Sequence, residues 1–556
     1  MKRIPALLLA IAIAAPLFAE DAARYIVATR RPARLAELRM LRDAEEVDRH
    51  VVRTFREFDG FAATLTAKEA ADLRRSQEVL YVSQVVPRYI ADVPTTQETS
   101  GSIYETQQVV AWGVDAIHAR DVWPVTKGDS TTTHVAIVDT GIDRTHPDLA
   151  GKYAGGYDVF SETENQIDDN KHGTHVAGIV TANDNAFGTL GAAPNVKVWA
   201  VKVLHANGGG TDESLIAGME WVMKKKKEIG GNWIVNLSLA AIHPSDAEQE
   251  TFRKAIADNI LIVAAAGNHG FPGVEYPAGY DDVIAVGALE PNLELAGFSN
   301  FGFGLTICAP GLDIPSTVPV GFVNIGDVAV ADGAIFTGSF VTGSPRGDVT
   351  GPFVFCGQGR LEDFPASVKG KIAVVRRDPA ESFVRLFFRD KVRNAVAAGA
   401  IAVVLMNDDD TRQDWPWTLI PQQCLISGCY PLDPEDAKFP WPLTVSIGAA
   451  DGQKLLANAN KTITASYRSD SYLKLSGTSM ATPYVVASAA LAWGLAPKAT
   501  AEDVRNALKK TAKDLNTPGV DELTAYGMVD ALKAAQFLNR AAFGIDKPIG
   551  DPKTRD

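Results

Sequence analysis

Nearly unbroken apolar runs punctuate the middle of the chain: "HVAIVD" (134–139), "VKVWAVKVL" (196–204), "WIVNLSL" (233–239), "NILIVAAAGN" (259–268) and "DVIAVGAL" (282–289). Runs without polar alternation predict strands buried on both faces of a parallel sheet. Between them the spacing turns helical, as in "DESLIAGMEWVMKKKKEIGG", which closes on a glycine pair suited to a helix C-cap. Its lysines at 224–227 read as a solvated face. Strand and helix in alternation predict a doubly wound, mostly parallel α/β domain.

Two other patterns flank and interrupt this one. Residues 24–91 read as a small α+β unit. "ARYIVATR", "FDGFAATL" and "EVLYVSQV" are strand-like, "LAELRMLRDAEEVDRHVV" has helical spacing, and Thr66 with Glu69 forms a capping box. The polar stretch "VPTTQETSGS" follows as an exposed linker. Residues 320–470 are richer in β and turn signals and read as an inserted α+β, β-rich domain. The α/β pattern resumes at "YLKLSGTSMATPYVVASAALAWGL" and ends with helices near 501–513 and 528–540; residues 541–556 read as a disordered tail.

The first residues, "MKRIPALLLAIAIAAPLFAED", carry early positive charge, an apolar run and a small residue at Ala19. That is the pattern of a secretory signal peptide, 1–19, and the run is short for a membrane-spanning helix. A small folded unit between a signal and a cleavable linker predicts a propeptide, 20–106. The mature protein is then exported, to the medium or the periplasm, with no membrane anchor. The 556 residues are enough for two or three folded units, and a formal charge of −13 argues against a nucleic-acid partner. Cys308, Cys356, Cys424 and Cys429 are too few for a disulfide scaffold. Cys424 and Cys429 are near enough in sequence for a local bridge, while Cys308 and Cys356 could pair or stay free.

In open α/β sheets the working residues gather at the C-terminal ends of strands. Asp139 ends "HVAIVD", His172 opens the apolar helix "HGTHVAGIV", and Ser479 opens "SMATPYVVASAALA". Serine is a weak nucleophile until a base takes its proton, and the base needs a third group to hold its tautomer. Asp139, His172 and Ser479 can fill those roles. The Ser479 N–H, at a helix start, and Asn268, at the end of "IVAAAGN", can donate to an oxyanion. His175 and His146 are the competing histidines.

The segments "VAIVDTGIDRTHPDL", "HGTHVAGI", "AAAGN" and "SGTSMATP" resemble those of the subtilisin-like serine protease (subtilase) family, whose chain order is Asp, His, Ser. The resemblance covers 107–319 and 471–540. Residues 24–91 resemble the family's inhibitory propeptide, and about 335–450 a protease-associated (PA) domain. It implies a secreted endopeptidase acting on proteins or peptides, self-processed and inhibited by its own propeptide, with the insert either gating or extending substrate access or serving as a docking surface. The alternatives are a non-catalytic binding protein on the same scaffold and a peptide-trimming exopeptidase.

The resemblance also implies a substrate cleft and a calcium site. Substrate would lie as an added strand between Gly208-Gly209-Gly210 and Ser238-Leu239-Ala240, with Ala265, Ala266 and Gly267 lining the specificity pocket. Ala240 stands where the family usually has glycine. Glu275 at the pocket base would favour Lys or Arg before the cut. The loop "NDNAFGT" offers hard oxygen ligands. The family's strong Ca2+ site matches Gln108, Asp148, the Asn183 carbonyl, the Asn185 side chain and the carbonyls of Phe187 and Thr189, which implies a mature start near Gln107.

Overall fold

In the structure, a computed structural model, residues 22–30, 51–91 and 107–545 are described, apart from 56, 58, 129–130, 332, 384, 411–416, 421, 426–427, 432 and 460. The expected signal peptide, the whole linker and most of the expected tail lie outside the described residues. Strands β1 (Ala23–Thr29), β2 (Val51–Phe55), β3 (Gly60–Leu65) and β4 (Val79–Gln84) form an antiparallel sheet in the order β2-β3-β1-β4. Helix α1 (Ala67–Leu73) starts at the Thr66–Glu69 capping box. Of the helical reading of 35–52, residues 35–50 lie outside the described residues, and its end fails because Val51 and Val52 belong to β2, where Val51 pairs with Ala63. Strand alternation divides the sheet's faces. Val27, Phe61 and Leu65 pack with Leu73 of α1. Ile26, Ala28, Phe55 and Ala62 pack on Ile216 and Ala247 of the next domain. A short strand, β5 (Pro87–Ile90), then leaves this sheet altogether.

The next domain holds β6 (Gln108–Val109), β7 (Thr133–Asp139), β8 (Tyr153–Asp158), α2 (His172–Thr181), β9 (Gly188–Thr189), β10 (Val198–Lys202) and β11 (Gly209–Thr211). It continues with α3 (Asp212–Ile229), β12 (Asn232–Leu237), β13 (Leu239–Ala240), α4 (Asp246–Ala257), β14 (Ile260–Ala265), β15 (Ile284–Leu289) and β16 (Ile307–Pro310). Its sheet runs β16-β15-β14-β12-β7-β10-β8, every neighbour parallel. Val135, Ile137 and Val263 enter one core, and Ala136, Val138 and Ile262 the other. Burial of both faces is why these runs show no polar alternation.

Strand β17 (Ile314–Thr317) pairs antiparallel with the strand Tyr472–Leu475, and the insert is spliced between them. Its strands are β18 (Val323–Val330), β19 (Ile335–Thr342), β20 (Gly347–Phe355), β21 (Ile372–Arg376), β22 (Ala402–Met406), β23 (Trp417–Thr418), β24 (Gln422–Leu425), β25 (Gly428–Pro431), β26 (Thr444–Ile447) and β27 (Thr462–Asp470). Eight of them run β18-β27-β20-β21-β22-β26-β19-β23, and a further β18–β19 pairing closes the ring into a barrel, while β24 and β25 pair only with each other. Helices α5 (Phe388–Ala397) and α6 (Ala449–Leu456) complete the insert. Cys424 stands directly opposite Cys429 in the β24–β25 register, their side chains lying outside the described residues. Cys308 and Cys356 are buried free thiols.

After the returning strand, β28 (Tyr472–Leu475), comes α7 (Thr478–Leu495), buried from Thr478 to Trp493. A helix apolar on all sides belongs in a core, and α7 packs beneath the sheet against α2, α8 (Ala501–Thr511) and α9 (Ala531–Leu538). No helix among the described residues is long and apolar enough to cross a membrane.

Candidate active site

The parallel sheet delivers Asp139 at the C-terminal end of β7, and α2 and α7 deliver His172 and Ser479 in their first turns. All three are fully buried. Asp139 Oδ1 lies 2.8 Å from His172 Nδ1 and accepts the Thr140 N–H at 2.7 Å. A carboxylate on Nδ1 fixes the imidazole tautomer. The Ser479 hydroxyl donates to the Ser238 carbonyl at 2.9 Å. Asn268 Oδ1 accepts the Thr478 N–H and hydroxyl, both at 2.9 Å. This leaves Asn268 Nδ2 as a buried donor with no hydrogen-bond partner. The rival histidines are committed elsewhere. His146 Nε2 meets the Ser471 carbonyl at 2.9 Å, and His175 Nε2 the Leu473 carbonyl at 3.0 Å. Burial pushes His175 down to about 3, so it stays neutral.

The cleft beside these residues is filled by β5. It pairs antiparallel with β11 on one side and β13 on the other, with Tyr89 opposite both Gly209 and Ala240. The Gly208 carbonyl accepts the Ile90 N–H at 3.1 Å, and the Ser238 carbonyl accepts the Ala91 N–H at 3.3 Å. The Ala91 carbonyl in turn accepts the Ser479 N–H at 3.0 Å. The residue over the serine is therefore Ala91, well upstream of Gln107.

Ala91 is buried against Ala240 and Ala265. Behind them Gly267, at φ +106°, has no room for a side chain: an added Cβ would sit 2.5 Å from Asn300 Nδ2 and 2.7 Å from Glu275 Cδ. Ala266 leads into this turn and is buried. Glu275, expected at the base of the pocket, is 3% exposed. Its carboxylate is already engaged by the Tyr89 hydroxyl at 2.6 Å, His269 Nδ1 at 2.5 Å and Asn300 Nδ2 at 3.3 Å. The seated residue that touches Glu275 is thus Tyr89, and the seated base, Arg88, pairs with Glu248.

The expected calcium ligands also converge. Pairing of β6 with β9 brings Gln108 to the loop 183–189. Gln108 Nε2 lies 2.7 Å from the Asn183 carbonyl, 3.2 Å from the Thr189 carbonyl and 3.4 Å from Asn185 Oδ1. Asp148 accepts Asn185 Nδ2 at 2.9 Å and the Thr189 N–H at 2.8 Å, and Phe187 donates its N–H to Asn185 Oδ1 at 2.9 Å. Burial pushes the Asp148 carboxyl up to about 6. Among the described residues no three His, Cys, Asp or Glu side chains cluster as a metal site. The Asn183 and Thr189 carbonyls and Asn185 Oδ1 gather on Gln108 Nε2, and Asn185 and Thr189 also reach the buried Asp148 carboxylate. Carbonyl, amide and carboxylate oxygens are the donor set a hard cation takes, and the residues fit calcium.

One positioning residue escaped the sequence reading. Asp168 accepts the Thr140 hydroxyl at 2.9 Å, the Asn170 and Lys171 N–H groups at 3.0 and 2.9 Å, and the Thr174 N–H and hydroxyl at 2.9 and 2.6 Å. It caps α2 and ties that helix to the end of β7. The available signal was an acidic pair, Asp168-Asp169, just before the helix that His172 opens.

Comparison with known proteins gives the same picture. Residues 130–334 and 391–527 match the sequence model of the subtilase family (peptidase S8), and residues 24–91 that of peptidase inhibitor I9. Subtilisin DY of Bacillus licheniformis is 42% identical over 216 residues, 38% of this chain and 76% of that protein. An alkaline protease of Alkalihalobacillus alcalophilus is 34% identical over 286 residues, 51% of this chain and 68% of that protein. Fervidolysin of Fervidobacterium pennivorans shares the fold at a TM-score of 0.56 and 21% identity, over 93% of this chain and 61% of that one.

Proposed function

From the chain's membership of the subtilase family of serine endopeptidases, we propose that it is made as an exported preproenzyme whose first substrate is its own propeptide. Asp139 holds His172 through Nδ1, leaving Nε2 as the base. Rotation of the Ser479 side chain brings its hydroxyl from the Ser238 carbonyl to that nitrogen. Oγ attacks the carbonyl carbon at the Ala91 position, and its proton passes to His172. The oxyanion takes the Ser479 N–H and Asn268 Nδ2. His172 then protonates the leaving amine, and water deprotonated by His172 releases the acyl group.

The observation that carries this reading is the Ala91 carbonyl, 3.0 Å from the Ser479 nitrogen, on a strand paired to both cleft walls. It supports a first cut at Ala91–Asp92, with a start near Gln107 following from a later cut in the linker. After cleavage the propeptide stays seated as an inhibitor. Gln108, Asp148, Asn183, Asn185, Phe187 and Thr189 would hold a structural calcium that fixes the mature N-terminal segment to the loop 183–189. The mature enzyme acts outside the cytoplasm on proteins and peptides.

Intact mass and N-terminal sequence of the exported protein, compared with Ser479→Ala, test this. Expected are a wild-type product beginning at Asp92 or trimmed further, and a variant that keeps 20–91 covalently attached. Identical trimming of both would remove Ser479 as the processing nucleophile.

A further inference from the structure

Arg88 is one of the largest fully buried side chains among the described residues, 1% exposed, although it belongs to the segment lying in the cleft. Counted back from the bond over Ser479, Ala91 is the first residue and Arg88 the fourth. The Arg88 Nε donates to Glu248 Oε2 at 2.9 Å, and Nη2 donates to the same oxygen. Both side chains are 0% exposed. Nη1 donates to the Pro87 carbonyl at 3.0 Å.

The pocket lies between the first turns of α3 and α4. Asp212, at the start of α3, is fully buried and within electrostatic reach of Arg88. Glu248 is the third residue of α4, after Ser245 at its N-cap. Ser-x-x-Glu at a helix start normally closes a capping box, the glutamate reaching back to the serine N–H. Here the Ser245 N–H donates to the Tyr280 hydroxyl at 2.8 Å. The Glu248 carboxylate is thereby released into the pocket, and its Oε1 is buried with no hydrogen bond. Burial pushes Glu248 up to about 7, and Asp212 upward as well. An apolar side chain here would leave buried carboxylates uncompensated. A guanidinium supplies charge and a planar set of donors; an ammonium supplies a point charge.

We propose that Glu248 and Asp212 form a specificity site that selects substrates with arginine at the fourth residue before the scissile bond. This rests on the reading of the chain as a protease whose cleft β5 occupies. The test is the kcat/KM of the mature enzyme on quenched peptides containing Arg-Tyr-Ile-Ala-Asp, with Arg replaced by Lys, citrulline or Leu. Casein is digested in parallel. Arginine should exceed citrulline and leucine by about 100-fold or more, since a site built to bond a polar group rejects analogues that lack it. Glu248→Gln should remove most of that ratio.

Because Glu248→Gln leaves Arg88 buried without its partner, the proenzyme variant can fail to mature. Glu248→Leu combined with Arg88→Leu replaces the pair with apolar groups, and its mature form should prefer the leucine peptide. Equal kcat/KM for all peptides, or an arginine preference that survives either variant, overturns the proposal while casein digestion leaves the protease reading intact. Digestion of neither casein nor any peptide overturns both.

Discussion

The Ser479 N–H donates to the Ala91 carbonyl at 3.0 Å while the Ser238 carbonyl takes the Ala91 N–H at 3.3 Å. One peptide residue is thus held on both sides by the groups that flank the serine. The chain supplies its own occupant for the cleft through β5, and the sheet β2-β3-β1-β4 anchors it on α3 and α4. Arg24 pairs with Glu213 at 2.8 Å and Lys227 with Glu57 at 2.6 Å across that contact.

Asn268 Oδ1 accepts from Thr478 while Nδ2 is a buried donor without a hydrogen bond, and in the proposed mechanism Nδ2 meets the oxyanion. Asn268→Leu should lower kcat by about 10²–10³ with little change in KM, a magnitude measured on the oxyanion asparagine of subtilisin itself. Steady-state kinetics on a peptide substrate checks this. A raised KM at unchanged kcat would mean the amide binds substrate and transition state alike.

Asp168 is fully engaged beneath the base, so its loss leaves several buried donors unpaired. Asp168→Ala should destabilise the protein by ~2 kcal/mol or more and lower kcat by loosening α2 against β7. Asp168→Asn keeps one acceptor oxygen and should recover part of both. Urea unfolding of the Ser479→Ala background, with kinetics on the active form, reads the two effects separately.

Calcium should protect the fold. Melting in calcium against chelator should show a lower transition in chelator, with ~4 kcal/mol at stake when the ion is a thousandfold above its Kd. Asp148→Asn should melt low in both buffers. A parent protein indifferent to chelator would dismiss the cation site.

His175 gives a pH dependence with a definite sign. Its folded pKa, about 3, lies below the ordinary 6.5 because burial disfavours the cation. The folded state therefore binds fewer protons than the unfolded chain between those values. The stability from keeping His175 neutral is complete above about pH 6.5 and is lost on acidification, at up to ~1.4 kcal/mol per pH unit. Between pH 6.5 and 5 the parent should lose about 2 kcal/mol more than His175→Gln. Equal losses in urea titrations would mean His175 is protonated in place.

The parts legible in the sequence are those where a polar residue breaks an apolar run. Asp139 and Asn268 end or follow buried strands, and His172 and Ser479 open buried helices, so local pattern made them candidates; the order of the family's motifs singled out His172 from His175 and His146. The six expected calcium residues came from the resemblance to the subtilase family, not from the local pattern. Other features depend on pairing with distant residues. The segment "PRYIA" becomes a strand only because β11 and β13 border it, and no local pattern announces that. Closure of the insert depends on β18 meeting β19, which a list of strands does not contain. Glu248 reads as a capping-box residue until Tyr280 takes the Ser245 N–H.

Glu275 is the residue whose expected role the geometry redirects. A carboxylate at the pocket base favours a basic first residue only if its charge is open to that side chain. Here Tyr89, His269 and Asn300 already surround it, and the seated first residue is an alanine packed on Ala240 and Ala265. A longer side chain must push into the packing of Ala91 on Ala240 and Ala265, and overpacking of this kind costs about 1–3 kcal/mol. Self-processing of Ala91→Phe and Ala91→Lys, followed by mass spectrometry over time, should therefore be slower than wild type by about tenfold or more. If Ala91→Lys instead processes faster than both wild type and Ala91→Phe, Glu275 turns toward the incoming ammonium, and the basic preference expected from its position is the correct one.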